Sequence, residues 1–169
     1  MGCKIQFIEN RVLIDVPNEI YSSSLGSEII DLVECNEDTI DGIVKEPYNS
    51  SAGMMIHGIY GDVIPQETLE EIRQTAAMVK EYVSIFLDES PVVDEYKDML
   101  PLDRYLRLSI FNDVFIKCNI SFDKDTKKII ETYIPESFKE ACYIIFIKMI
   151  QHNITIKKCK NCGKYFLKR

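Results

Sequence analysis

Two cysteines close to the C-terminus, Cys159 and Cys162, have the spacing of a metal-binding knuckle. Two thiolates separated by two residues, with Gly163 directly after, allow a tight turn that aims both sulfurs and the neighbouring backbone N–H groups at one ion. Phe166 is placed to pack beneath that ion. A structural zinc takes four ligands, and this motif supplies two. The sequence stops seven residues past Cys162 with no further Cys or His. The expectation is therefore a fragment of a longer protein, with zinc as a cofactor of the complete protein and an incomplete site in this chain. A redox dithiol would sit at a helix N-terminus, where the helix dipole lowers one thiol pKa. Here Tyr165-Phe166-Leu167 continues as a strand, which favours the metal. Cys142 and His152 precede the motif, but neither is expected to be a ligand. Cys142 lies in an apolar helical run, where a cysteine packs as a small hydrophobe, and His152 falls where a helix ends and its carbonyls need donors.

Charge is the second source of chemistry. Lys157, Lys158, Lys160, Lys164, Lys168 and Arg169 stand in the last 16 residues without a single acid, a local charge of +6. The first 153 residues hold 14 Lys/Arg against 27 Asp/Glu, which is −13 and gives the chain its net −7. An acidic protein with a dense basic tail points to nucleic acid at the tail alone, with those six residues facing phosphates. The plainer alternative is that the lysines keep an exposed tail in solution.

Catalytic patterns are sparse. His57 and His152 are the two histidines, and neither stands beside an obvious nucleophile or carboxylate partner. His57, in Met55-Ile56-His57-Gly58, is expected to be structural, or else functional on a loop. Glycine-rich phosphate loops are absent, and Asp123-Lys124-Asp125 lacks the glycine and closing glutamate of a calcium loop. The balance leans away from an enzyme.

The elements that must position these groups follow from periodicity. Residues 3–16 predict a β-hairpin around Glu9-Asn10, ended by Pro17. Ser22 to Val33 predicts a short helix, because Leu25, Ile29, Ile30 and Val33 recur at helical spacing. Asn36 to Gly61 carries Pro47 and four glycines and reads as loop, with a strand near Met54-Ile56. Pro65 to Leu87 predicts a long amphipathic helix with Leu69, Ile72, Ala76, Val79, Val83 and Phe86 on one face. A second helix is expected over Pro101 to Asn119, a strand over Lys128 to Tyr133, and an apolar helix from Pro135 to near His152. Ile154-Thr155-Ile156, the CxxC turn and Tyr165-Phe166-Leu167 form a final hairpin. The expected fold is α+β and mainly helical: an acidic domain over 1–153 with a small N-terminal hairpin, then a basic, truncated zinc-ribbon-like segment over 154–169. Scattered single cysteines fit a reducing cytoplasm. No apolar run approaches the roughly 18 residues a membrane span requires, so no membrane partner is expected.

The stretch from Ile129 to Phe166, with its IKKCKNCGKYF run, resembles a group of uncharacterised bacterial proteins, mainly Gram-positive, classed as a domain of unknown function. The resemblance implies a second Cys pair beyond the aromatic. The first Cys pair and Phe166 are also loosely similar to CGNR zinc-finger regulators, in which a helical ligand-sensing domain precedes a zinc module that binds DNA. That likeness implies a transcription-regulator-like, nucleic-acid-binding protein whose acidic domain takes a small ligand or a protein. The alternative is an interaction or assembly module in which the knuckle is purely structural.

Overall fold

The structure, a computed structural model, describes residues 3–16, 19–35, 37–86 and 116–169. Strands β1 (Lys4–Ile8) and β2 (Arg11–Val16) form the predicted hairpin, pairing Ile5 with Ile14 and Phe7 with Val12. Glu9, at φ 55°, makes the turn. Strand β3 (Glu19–Ser24) continues it, and β4 (Lys117–Asp123) and β5 (Lys128–Ile134) form a second hairpin. Because β5 pairs with β1, the five strands make one antiparallel sheet in the order β3-β2-β1-β5-β4. The expectation of a mainly helical protein is thereby corrected: among the described residues, seven strands accompany five helices. Two short pieces of the sheet fall in stretches expected to be helix. Ser22 to Ser24 belong to β3, and the serines pair with Arg11, Val12 and Leu13. Lys117 to Asn119 open β4, while residues 101–115 of that expected helix lie outside the described residues.

Helix α1 (Ser27–Glu34) starts only after Gly26, whose φ of 95° turns the chain out of the strand. The segment read as loop holds two helices, α2 (Glu37–Lys45) and α3 (Ser51–Tyr60), separated by a 3₁₀ turn at Pro47–Asn49. Its punctuating residues have structural uses. Ser50 caps α3 by accepting the Gly53 N–H at 3.0 Å. A Cβ on Gly53 would lie 2.6 Å from the Pro47 carbonyl, so this glycine permits close packing rather than flexibility. Asp31 of α1 accepts the Ala52 N–H at 3.0 Å, which fastens α1 to the start of α3.

Helix α4 (Gln66–Phe86) begins directly after Pro65 and buries Ile72, Ala76, Val79 and Val83, as its periodicity predicts. Arg73 ties it to α2 through a two-pronged pair with Asp41, at 2.9 and 2.7 Å. Helix α5 (Phe138–Gln151) is capped by Ser137, which accepts the Glu140 N–H at 3.2 Å. It buries Phe138, Ala141, Ile145, Phe146 and Met149 in the same core as Ile5, Val12 and Ile14 of the sheet. Lys148 pins α5 to that sheet. It is 8% exposed, lies 2.7 Å from Glu131 and stands over the rings of Phe7 and Tyr133, so its charge is paired and its stem is packed. Strands β6 (Thr155–Lys158) and β7 (Tyr165–Lys168) form a separate hairpin after α5, as expected. No helix among the described residues is long and apolar enough to cross a membrane.

Candidate functional site

The turn between β6 and β7 has the geometry its spacing predicts. The Cys159 N–H donates to the Lys164 carbonyl at 2.8 Å, and the Gly163 N–H donates to the Cys159 carbonyl at 2.9 Å. Gly163 sits at φ 72°, where a side chain would strain the turn. The Cys159 sulfur is held below the usual thiol pKa, chiefly by the Cys162 backbone N–H, then by the Cys162 side chain and the Asn161 N–H. Donors aimed at sulfur favour the thiolate, the form that binds a metal. The chain leaves this turn as strand β7 rather than as a helix, so the helix dipole of a redox CxxC is absent at this position.

Among the described residues, no group of three or more His, Cys, Asp or Glu side chains is placed to share an ion. Cys142 is enclosed in the core, where burial raises its thiol pKa, and His152 ends α5 as an exposed cap. Cys159 and Cys162 therefore stand as a pair, with no third such side chain beside them among the described residues.

The hairpin has two unlike faces. Ile156 opposite Leu167, and Lys158 opposite Tyr165, share the inward one. Ile156 is fully buried, a Cβ on Gly26 would lie 2.8 Å from Leu167, and the Tyr165 N–H donates to Glu34 at 3.1 Å. The segment after Ile156 is thus docked by a hydrogen bond as well as by packing. Lys157 opposite Phe166, and Thr155 opposite Lys168, share the outward face. Phe166 is 47% exposed there. The six basic residues do not converge on one face. Lys157 and Lys168 flank Phe166, Lys158 lies over the Tyr165 ring at 5.3 Å, Lys160 and Lys164 are in the turn, and Arg169 follows β7.

Two further polar sites lie away from the hairpin. His57 lies on α3 rather than on a loop. It faces a groove of about 400 Å³ whose polar walls include Lys45, Glu46, Tyr48, Asn49 and Asp62. Its Nδ1 is 3.4 Å from Asp62 and its Nε2 is 3.4 Å from the Tyr48 hydroxyl. Because these partners come from separate turns, spacing along the chain could not bring them together. The second is Glu28, fully buried in the first turn of α1. Ser23 hydrogen-bonds Oε1, Oε2 has no partner among the described residues, and burial pushes the carboxyl pKa up to about 7. Here a signal existed: Glu28 falls three residues after Leu25 and four before Leu32, on the apolar stripe of its helix.

Together these features define an α+β domain whose C-terminal hairpin ends in a two-thiol turn. Over residues 113–169 the chain matches a family of unknown function (DUF6076), a stretch that takes in β4, β5, α5 and the knuckle hairpin. No curated protein and no solved structure matches the chain.

Proposed function

We propose that Cys159 and Cys162 form half of a zinc knuckle and that the outward face of the β6–β7 hairpin binds nucleic acid. The observation that carries this reading is the exposed Phe166 set between Lys157 and Lys168 on one strand face. An aromatic ring stacks on an unpaired base while flanking cations meet the phosphates, and this combination serves single strands of any sequence. The −13 charge of the first 153 residues repels the same ligand, which confines binding to the hairpin. Zinc would hold the turn, with its remaining ligands from outside the described residues. The loose likeness to the CGNR regulators points the same way. In that arrangement the groove beside His57 is where the acidic domain would take a small ligand.

The test is binding of a labelled single-stranded oligonucleotide over a range of salt, with zinc measured on the same samples. Phe166→Ala should weaken binding by about 1–3 kcal/mol. Lys157→Glu with Lys168→Glu should flatten the salt dependence by about two phosphate contacts. Cys159→Ser should lower bound zinc. Binding that survives both surface changes with its salt slope intact would sink the nucleic-acid reading.

A second reading, an assembly module with a purely structural knuckle, is favoured by the apolar side chains left exposed on β4 and β5: Ile120 at 73%, Phe122 at 61% and Ile129 at 69%.

A further inference from the structure

We propose that two copies of this chain associate through β4, paired antiparallel with β4 of the second copy about a two-fold axis at Ile120. The proposal is independent of the hairpin and of its metal.

Among the described residues the sheet order leaves β4 at one edge, and an edge strand offers a row of unpaired N–H and C=O groups to any strand that fits. The fit of β4 to itself is written in its seven residues. In an antiparallel self-pairing centred on Ile120, Lys117 stands opposite Asp123, Cys118 opposite Phe122, Asn119 opposite Ser121, and Ile120 opposite its own copy. Strand alternation then sorts these pairs. The β4–β5 register places Cys118, Ile120 and Phe122 on the same face as Tyr133, Glu131 and Ile129, so each joined strand adds apolar surface to the exposed patch of the other. The opposite face receives the charge pair and the amide–hydroxyl pair. Opposite charges across strands, hydroxyl contacts and apolar pairs are the favourable cross-strand combinations.

Other registers lose this. A centre at Asn119 sets Lys117 against Ser121 and leaves Phe122 and Asp123 without partners. A centre at Ser121 does the same to Lys117 and Cys118. A centre between residues opposes the apolar face to the polar one. Among the described residues the other sheet edge, β3 (Glu19–Ser24), fits itself less well: a centre on Tyr21 sets Glu19 against Ser23 and Ile20 against Ser22, a centre on Ser22 sets Ile20 against Ser24 and Tyr21 against Ser23, and neither makes an opposite-charge pair. The charged ends are already held within the chain. Lys117 pairs with Glu136, and Asp123 accepts the Asp125 N–H and the Thr126 hydroxyl in the turn. In the dimer Lys117 would lie between its own Glu136 and the second copy's aspartate.

One strand pair with its flanking patch is below the roughly 1,200–2,000 Å² of a stable complex, so the dimer should be weak, with Kd on the order of micromolar or above. Sedimentation velocity over about 1 to 100 μM brackets that range. The wild-type chain should pass from monomer to dimer as concentration rises, and Ile120→Glu, which places two like charges on the axis, should stay monomeric.

Mixing then tests the register. Lys117→Glu alone opposes two acids, and Asp123→Lys alone opposes two lysines, so each should weaken association about tenfold or more. An equimolar mixture of these two variants restores an opposite-charge pair at both ends of the strand and should dimerise near the wild-type concentration. Recovery on mixing also shows that both variants are folded. A wild-type monomer at every concentration, a dimer indifferent to Ile120→Glu, or variants that fail to recover when mixed would each overturn the proposal.

Discussion

The β4–β5 and β6–β7 hairpins share a construction, alternating apolar and polar residues around a short turn, and differ in what their apolar faces meet. In β6–β7 the apolar face is closed: Ile156 is fully buried, and Leu167 packs over Gly26 and Met149. In β4–β5 the face that begins under the helices, with Tyr133 against Phe7, runs out past them and ends in exposed Ile120, Phe122 and Ile129. The functional side chains divide the same way. The docked hairpin holds its thiols and Phe166 on a fixed base, whereas the other leaves apolar side chains exposed. Alternation therefore states that a strand has an apolar face, and only the surrounding topology decides whether that face is core or contact surface.

The contrast is sharpest in a pair of isoleucines. Ile156→Ala removes a fully buried side chain from beneath the knuckle and should cost about 2–5 kcal/mol in urea unfolding. An unfolding midpoint unchanged by this substitution would mean that the hairpin is not part of the core. A middle-sized effect is expected at Glu28, in the helix on which β7 rests. Its carboxyl pKa rises on folding from 4.5 to about 7, so across that interval the folded state keeps a proton that the unfolded chain has released. Stability contributed by the protonated form is present below about pH 4.5 and is lost as pH rises through 7. Glu28→Gln should remove this fall and stabilise the protein on the order of 1–3 kcal/mol at pH 8, with little change at pH 4.5. Parallel pH profiles for the two proteins would refute the assignment. Smallest of all, Ile129→Ala on the exposed face should shift the midpoint by less than about 0.5 kcal/mol at concentrations where the chain is monomeric. A loss comparable to that at Ile156 would show that the β4–β5 face is covered within a single chain.

Legibility of the sequence followed the locality of the forces. The first hairpin, α4, β5, α5 and the β6–β7 hairpin were readable because each is specified by nearby residues: a turn, a cap or an unbroken periodicity. Ser22 to Ser24 were misread because the apolar spacing of α1 was extended back across Gly26, and nothing local marks three serines as a strand. Their strand character comes from pairing with β2. Asn36 to Gly61 was misread for the opposite reason. Pro47 and the glycines read as breakers of structure, whereas Pro47 opens the turn between two helices, Ser50 caps the second, and Gly53 lets the chain pass close to itself. At the candidate site, the Cys159 and Cys162 turn was fully legible from spacing. The position of Phe166 was not, since it depends on which face of β7 meets α1. His57, Tyr48 and Asp62 meet only because the 3₁₀ turn and the end of α3 fold against each other, and no spacing rule anticipates that.

The hairpin grips α1 at both ends, with Leu167 against Gly26 before its first turn and the Tyr165 amide on Glu34 at its last residue. Helix α1 in turn holds α3 through Asp31. The β7 strand thus splints α1 from its cap to its last residue, and α1 in turn fastens the start of α3, so the basic tail and the helix that carries His57 share one support.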